Sequence, residues 1–310
     1  MFPEGVQSCS SVPNIPVKTS QTPISDLEPG KYSHEESRLR CQLASLYRLV
    51  DLFRWSQGIY NHITVSVYNE NRRRMVIGAA VKVRLLGGDN EFLINPFGLL
   101  YHEITAGTLV KVDLDGKILD PGTTGFGINK AGYVLHSAIH GGREDLLCVI
   151  HLHVPSVVAV SAMKCGLLKL CQEAMIVGEV AYHDYQGIVV DPNERESLVK
   201  DMGSHNVMLL RNHGFVAAGR TIEEAFHYAY HLILACETQV RAINPIMVGE
   251  ISMPSDYSVQ KAYKTASHGG GGVNLKDGAV DNKEWGIGEL EWQAWMRTLD
   301  EMVCCYYRLP

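Results

Sequence analysis

Several absences narrow the field before any motif is read. No stretch of the 310 residues approaches the ~18–20 uninterrupted apolar residues that span a bilayer, so no membrane-inserted helix is expected. Basic charge is not in excess. Lys and Arg number 28 against 34 Asp and Glu, and a formal net charge of −6 argues against electrostatic capture of nucleic acid or anionic lipid. The opening MFPEGVQSCSSVPNIPVKTSQTP holds no basic segment followed by an apolar one, so no secretory leader is expected. The eight cysteines form no C-x-x-C, and several lie in apolar runs where a thiol packs as a small hydrophobe. A reduced cytosolic compartment follows as the expectation. Neither a Gly-x-Ser-x-Gly elbow nor a Walker-type loop occurs, which leaves acyl and nucleotide chemistry without support.

What is present is ample material for a core, with 46% hydrophobic and 20% charged residues. Residues 1–32, carrying Pro, Ser and Thr, are expected to form a mobile N-terminal arm. Ser33-His-Glu-Glu36 has the pattern of a capping box, and Leu39, Leu43, Leu46, Val50 and Phe53 follow at helical spacing, predicting a helix over 34–55. In HITVSVY, Ile63, Val65 and Val67 alternate with Thr64 and Ser66, as on a half-buried strand. NENRRR (69–74) has the composition of a hairpin tip. Further antiparallel strands are expected at 75–85, 91–95 and 109–114, with Asp115-Gly116 turning into 117–119.

From residue 128 the pattern becomes helix, strand, helix. NKAGYVLHSAIHGG predicts a helix stopped by a left-handed Gly141. DLLCVIHLH (145–153) and HNVMLLRNHG (205–214) are apolar runs suited to strands covered on both faces. Thr221-Ile-Glu-Glu224 opens a long helix to about residue 240. The chain thus divides into the arm, one α/β domain over 33–245 with helices on both faces of a sheet, a Gly-rich linker over 246–284, and a C-terminal amphipathic helix over 285–310. Trp292, Trp295, Met296, Leu299 and Val303 of that helix must dock on the body or on another subunit.

Chemistry concentrates in the histidines. Two apart on a strand, His151 and His153 project from one face and can converge on one ion. His213 ends the second apolar run, with Gly214 after it where the chain must turn. Three histidines at the ends of two neighbouring strands make a trigonal face for zinc with a fourth position open; two unrelated strand ends with polar caps is the alternative. His136 and His140 stand i, i+4 on a helix, but Ser137 follows where a zincin has glutamate, so that pair is expected on an exposed helix face. His227 and His231 repeat the spacing, with packing or surface roles expected.

GIYNHITV, NPFGLLYHEIT, LHSAIHGGREDLLCVIHLH, SAMKCGLL, GEVAYHDY and LLRNHGFVAAG together resemble the class II aldolase/adducin family. LRCQLASLYRLVDLFRWSQGIYNHITV is similar to the adducin head domain in particular. The resemblance runs from Tyr32 to Ala242 and resumes at EWGIGELEWQAWMRTLD. It implies a three-layer α/β/α fold around a mostly antiparallel sheet, with His151, His153 and His213 at the zinc-ligand positions of the enzymes. Those enzymes also carry a glutamate, as ligand and acid/base, on the helix before the H-x-H strand. Here no Asp or Glu occurs between Asp120 and Glu144, and the position falls near Gly132. A Thr-Gly of the enzymes' phosphate loop is matched by Phe97-Gly98.

The resemblance therefore implies a non-enzymatic adducin-like cytoskeletal protein with no catalytic residues and no required cofactor, although residual zinc on the three histidines stays open. Its implied partners are adducin-like subunits in a homo- or hetero-oligomer, actin and spectrin, in the cytoplasm beneath the plasma membrane. The sequence ends at CCYYRLP without the lysine-rich tail of adducins, so filament capping is not carried over. The alternative is a zinc aldolase or epimerase acting on a small sugar phosphate, with Glu103, Glu179, Tyr182 or Tyr185 replacing the lost acid.

Overall fold

The structure, a computed structural model, describes residues 26–59, 61–67, 91–124, 126–184 and 192–243, with short stretches between 255 and 296. The arm up to residue 25, the 69–74 tip, the 75–85 strand, the Gly-rich linker and most of 285–310 lie outside the described residues.

Among the described residues, eight strands form one sheet: β1 (His62–Ser66), β2 (Glu91–Ile94), β3 (Val110–Asp113), β4 (Ile118–Asp120), β5 (Cys148–Leu152), β6 (Ala181–His183), β7 (Val207–Leu210) and β8 (Gly214–Gly219). Their order is β4-β3-β2-β1-β5-β8-β7-β6, and every pairing is antiparallel except β6 with β7. One face is covered by α1 (His34–Leu52), α3 (Pro155–Ala162), α4 (Gln172–Val177) and α6 (Ile222–Ala242), the other by α2 (Lys130–Gly142) and α5 (Pro192–Met202). This is the expected three-layer α/β/α arrangement.

The alternation of each strand assigns its residues to one cover or the other. Ile63, Val65, Ile150 and Leu152 join the large core beneath α1 and α6, while Val149 joins Leu135 and Ile139 of α2. His62, Thr64 and His151 therefore face α2. β1 was expected to be half-buried, but His62 through Val65 are all buried, because α2 lies across the polar side of the strand.

The helix ends also differ from expectation. Ser33 Oγ accepts the Glu36 N–H (3.1 Å), as in a capping box, but the Glu36 carboxylate turns instead to Arg40 (3.0 Å) and Lys111 (3.1 Å). α1 stops at Leu52, with Phe53 capping and Arg54 at φ +58°. α2 is not closed by a left-handed Gly141. It runs to Gly142, and the Arg143 N–H bonds to the Ile139 carbonyl (2.8 Å). At the C-terminal side, Trp292 is buried in the main core, edge-on to Phe226, and Met296 packs on the same core, so these two dock on the body of their own chain. Residues 26–32, counted with the arm, are tied down: Asp26 accepts the Gly107 N–H (2.6 Å) and the Tyr32 hydroxyl donates to Asp120 (2.7 Å). No described helix is long and apolar enough to cross a membrane.

Candidate metal centre

β5 and β8 lie side by side, with Leu152 opposite Phe215, so the end of β5 meets the turn that leads into β8. Asn212 takes φ +59° in that turn and His213 follows, its N–H bonded to the Leu210 carbonyl (3.1 Å). Glycine is required next. A Cβ on residue 214 would stand 2.5 Å from the Leu152 carbonyl oxygen and 2.9 Å from the His153 ring. The bare backbone lets the turn close onto the strand end, and this brings the three histidines together.

One ligand atom from each of His151, His153 and His213 lies within 4.8 Å of the others. The rings of His151 and His213 are 5.1 Å apart by centroid, and those of His153 and His213 4.4 Å. His151 Nδ1 donates to the Phe215 carbonyl (2.9 Å), which fixes the tautomer and leaves Nε2 as a lone pair, 2.9 Å from His153 Nε2. Burial first, then the neighbouring histidines, holds the His151 pKa well below 6.5 and lowers that of His213 to about 4; burial lowers that of His153. All three rings are thus neutral near pH 7, the form that binds a metal. Three converging neutral imidazoles suit zinc.

Further histidines continue the cluster under α2. His136 and His140, expected on an exposed face, are buried with 0% and 6% exposure because α2 turns that face onto the sheet. His140 Nδ1 donates to the Leu146 carbonyl (3.0 Å), so its Nε2 accepts the Thr64 hydroxyl (2.8 Å). The Thr64 oxygen in turn accepts His136 Nδ1–H (2.8 Å), leaving His136 Nε2 bare and without a hydrogen-bond partner among the described residues. His62 lies beside this chain, its ring 6.1 Å from that of His136, and neither of its nitrogens has a partner among the described residues. Burial lowers the pKa of both His62 and His140 to about 4. Sequence reasoning missed His62 and Thr64, although the alternation of HITV already placed them on one face.

Of the four candidate substitute acids, three are described. Glu103 is exposed and its carboxylate accepts the Leu100 N–H (2.8 Å). Glu179 is exposed. The Tyr182 hydroxyl accepts the Leu167 N–H (2.9 Å), with Arg211 stacked on its ring, and Tyr185 is outside the described residues. His227 is buried and His231 half-buried on α6, their rings 4.5 Å apart. At Phe97-Gly98, the Phe97 N–H is already bonded to the Gly127 carbonyl (2.9 Å).

The Class II Aldolase and Adducin N-terminal domain model matches residues 41–240. Alpha-adducin of Rattus norvegicus is 45% identical over 285 residues, 91% of this chain and 36% of its own length. Among solved structures, an aldolase II superfamily protein from Pseudomonas syringae superposes with a TM-score of 0.70 at 39% identity, covering 87% of this chain and 95% of that one. An L-fuculose 1-phosphate aldolase from Glaciozyma antarctica shares the fold, with a TM-score of 0.67 at 20% identity over 91% and 97% of the two chains. This chain spans a little over a third of the length of the adducins it matches.

Proposed function

Because this adducin-like chain belongs to the class II aldolase and adducin family, we propose that it is a non-enzymatic head subunit of the membrane skeleton. In this reading it assembles with itself or with longer adducin-like subunits and works with actin and spectrin at the cytoplasmic face of the plasma membrane. One observation carries the non-enzymatic part. The three-histidine centre is bordered by further imidazoles, and position 132 on α2, where the resemblance expects the acid/base carboxylate, is a glycine with the His62 ring packed against it. General acid–base help is typically worth about 10²–10⁴-fold in rate, so a centre without it is a poor catalyst of carbon–carbon cleavage.

The convergence of His151, His153 and His213 favours a retained divalent cation, zinc by donor chemistry, whether or not turnover survives. The same convergence is what a zinc aldolase or epimerase would need, and the two readings separate cleanly in experiment. Co-sedimentation with actin and spectrin, alongside oligomer sizing, is expected to show association by a stable oligomer; absence of binding by such an oligomer removes the cytoskeletal role. Elemental analysis with an aldol-cleavage assay on small sugar phosphates is expected to show no turnover. Stoichiometric zinc together with turnover would replace this reading by the enzymatic one.

A further inference from the structure

The hydrogen-bonding capacity of His62 is unused among the described residues. His62 stands directly opposite His151 in the β1–β5 pairing, so the two side chains rise from the same face of the sheet as close neighbours, with Cβ atoms roughly 4.5–5.5 Å apart. The residue is 2% exposed, and both ring nitrogens lack a hydrogen-bond partner among the described residues. Buried polar groups are ordinarily paired, and an apolar side chain would fill the same volume without stranding two of them. The ring also claims its space against α2. A Cβ on Gly132 would fall 2.2 Å from His62 Cε1 and 2.5 Å from Nδ1, so the helix carries no side chain there and the imidazole occupies the gap.

We propose that His62 is a positioning imidazole of the neighbouring centre, holding by hydrogen bond a small anionic oxygen ligand on the open position of a cation seated on His151, His153 and His213. This rests on the reading that those three histidines bind a divalent cation. Three neutral ligands leave the full double charge of such an ion uncompensated, so the open position favours an anionic oxygen: hydroxide, a carboxylate or a phosphate. A neutral imidazole offers one N–H to donate and one lone pair to accept. The donor suits the bound oxygen, and the arrangement uses the polarity that packing alone leaves idle.

Cobalt(II) tests this, because its visible bands report coordination, with acetate as the anionic probe. The wild-type chain is expected to bind one Co(II) and to change its spectrum on addition of acetate. In His62→Leu, partners of this kind being worth 10–100-fold in similar centres, acetate affinity is expected to fall by at least about tenfold, and His62→Gln, which keeps a donor and an acceptor, to recover part of it. Equal acetate affinity in wild type and His62→Leu overturns the role of His62 while leaving the cation site intact, as does a loaded wild type that ignores acetate. Failure of the wild type to bind Co(II) removes the cation site and the inference with it. Should His62→Leu not fold, a crystal structure of the wild type loaded with zinc and acetate decides: an acetate oxygen within hydrogen-bonding distance of a His62 nitrogen supports the assignment, and a His62 ring turned away overturns it.

Discussion

Two buried polar clusters sit in this domain, and they are built on opposite principles. At the β3–β4 edge, Arg40 is fully buried and paired with Glu36 (3.0 Å) and Asp120 (2.9 Å), and it also donates to the Leu109 carbonyl (2.8 Å). Lys111 bridges Glu36 and Glu91, while Lys31 and Tyr32 complete Asp120. Every charge there has an opposite charge. Over β1 and β5, beneath α2, the groups are neutral imidazoles and some nitrogens are left over. A closed ionic network has nothing further to bind and ties α1 and residues 26–32 to the sheet. The histidine cluster, with spare lone pairs at one end, is where a ligand has something to gain. Burial of polar groups alone does not mark a site; the surplus of unmatched groups does.

The largest break in this comparison is expected from Arg40→Ala. Removing Arg40 takes from Glu36 and Asp120 their one fully buried partner and leaves them to the more exposed Lys111, Lys31 and Tyr32, a loss of about 3–5 kcal/mol. Urea unfolding measures it. A loss below about 1 kcal/mol would mean the edge network is not the structural half of the pair.

Acid separates the two clusters next. For His62 and His140 the folded pKa is about 4 against an ordinary 6.5, so between those values the unfolded chain holds more protons than the fold. Stability contributed by the neutral rings is therefore intact above about 6.5, falls as the pH drops, and stops falling near 4, by up to roughly 3 kcal/mol per ring. At Asp120 burial alone would raise the pKa, but the Tyr32 hydrogen bond and the Arg40 charge outweigh it and hold the carboxyl below its ordinary 3.8. Its contribution is intact above that value and is lost only as the pH falls through the lower folded one. Denaturant titrations of the metal-free chain from pH 7 to 3 are expected to show the imidazole loss first and the carboxylate loss after it. A stability that stays level between pH 6.5 and 4 would contradict the neutral-imidazole description.

Thr64→Val probes the joint in the histidine chain. The isosteric change leaves His136 Nδ1 and His140 Nε2 without the hydroxyl that both use, at a cost of about 1–3 kcal/mol in denaturant unfolding. A neutral result would show that the two rings find other partners.

Much of this domain was legible beforehand because its signals are local. The Leu39–Phe53 stripe, the apolar runs ending in His153 and His213, and Gly214 after the turn each predict their element within a few residues. Exposure of His136 and His140 was not legible. Polar neighbours such as Ser137 give that helix face a solvated look, and the partner that buries it, Thr64, lies 72 residues earlier on β1. The Glu36 carboxylate was misassigned for a similar reason: capping chemistry is local, whereas Lys111 competes from 75 residues away. The identity of the metal-ligand candidates came from spacing and resemblance, but the role argued for His62 needs the β1–β5 register, which no local pattern contains.

The smallest effect sharpens the comparison most economically, because it changes environment and little else. Arg38 lies two residues before Arg40 on α1 and also pairs with a glutamate one turn earlier, Glu35, at 2.5 Å. Its side chain is 51% exposed where that of Arg40 is 0%. Water already solvates both ions of the exposed pair and salt screens them, so Arg38→Ala is expected to cost at most about 0.5 kcal/mol, less at high ionic strength. Measured by the same urea unfolding as Arg40→Ala, the two losses should differ several-fold despite the shorter contact at Arg38. Equal losses would mean that contact distance, and not withdrawal from water, sets the strength of the edge network. The contrast drawn between a sealed ionic edge and an open imidazole centre would then lose its physical basis.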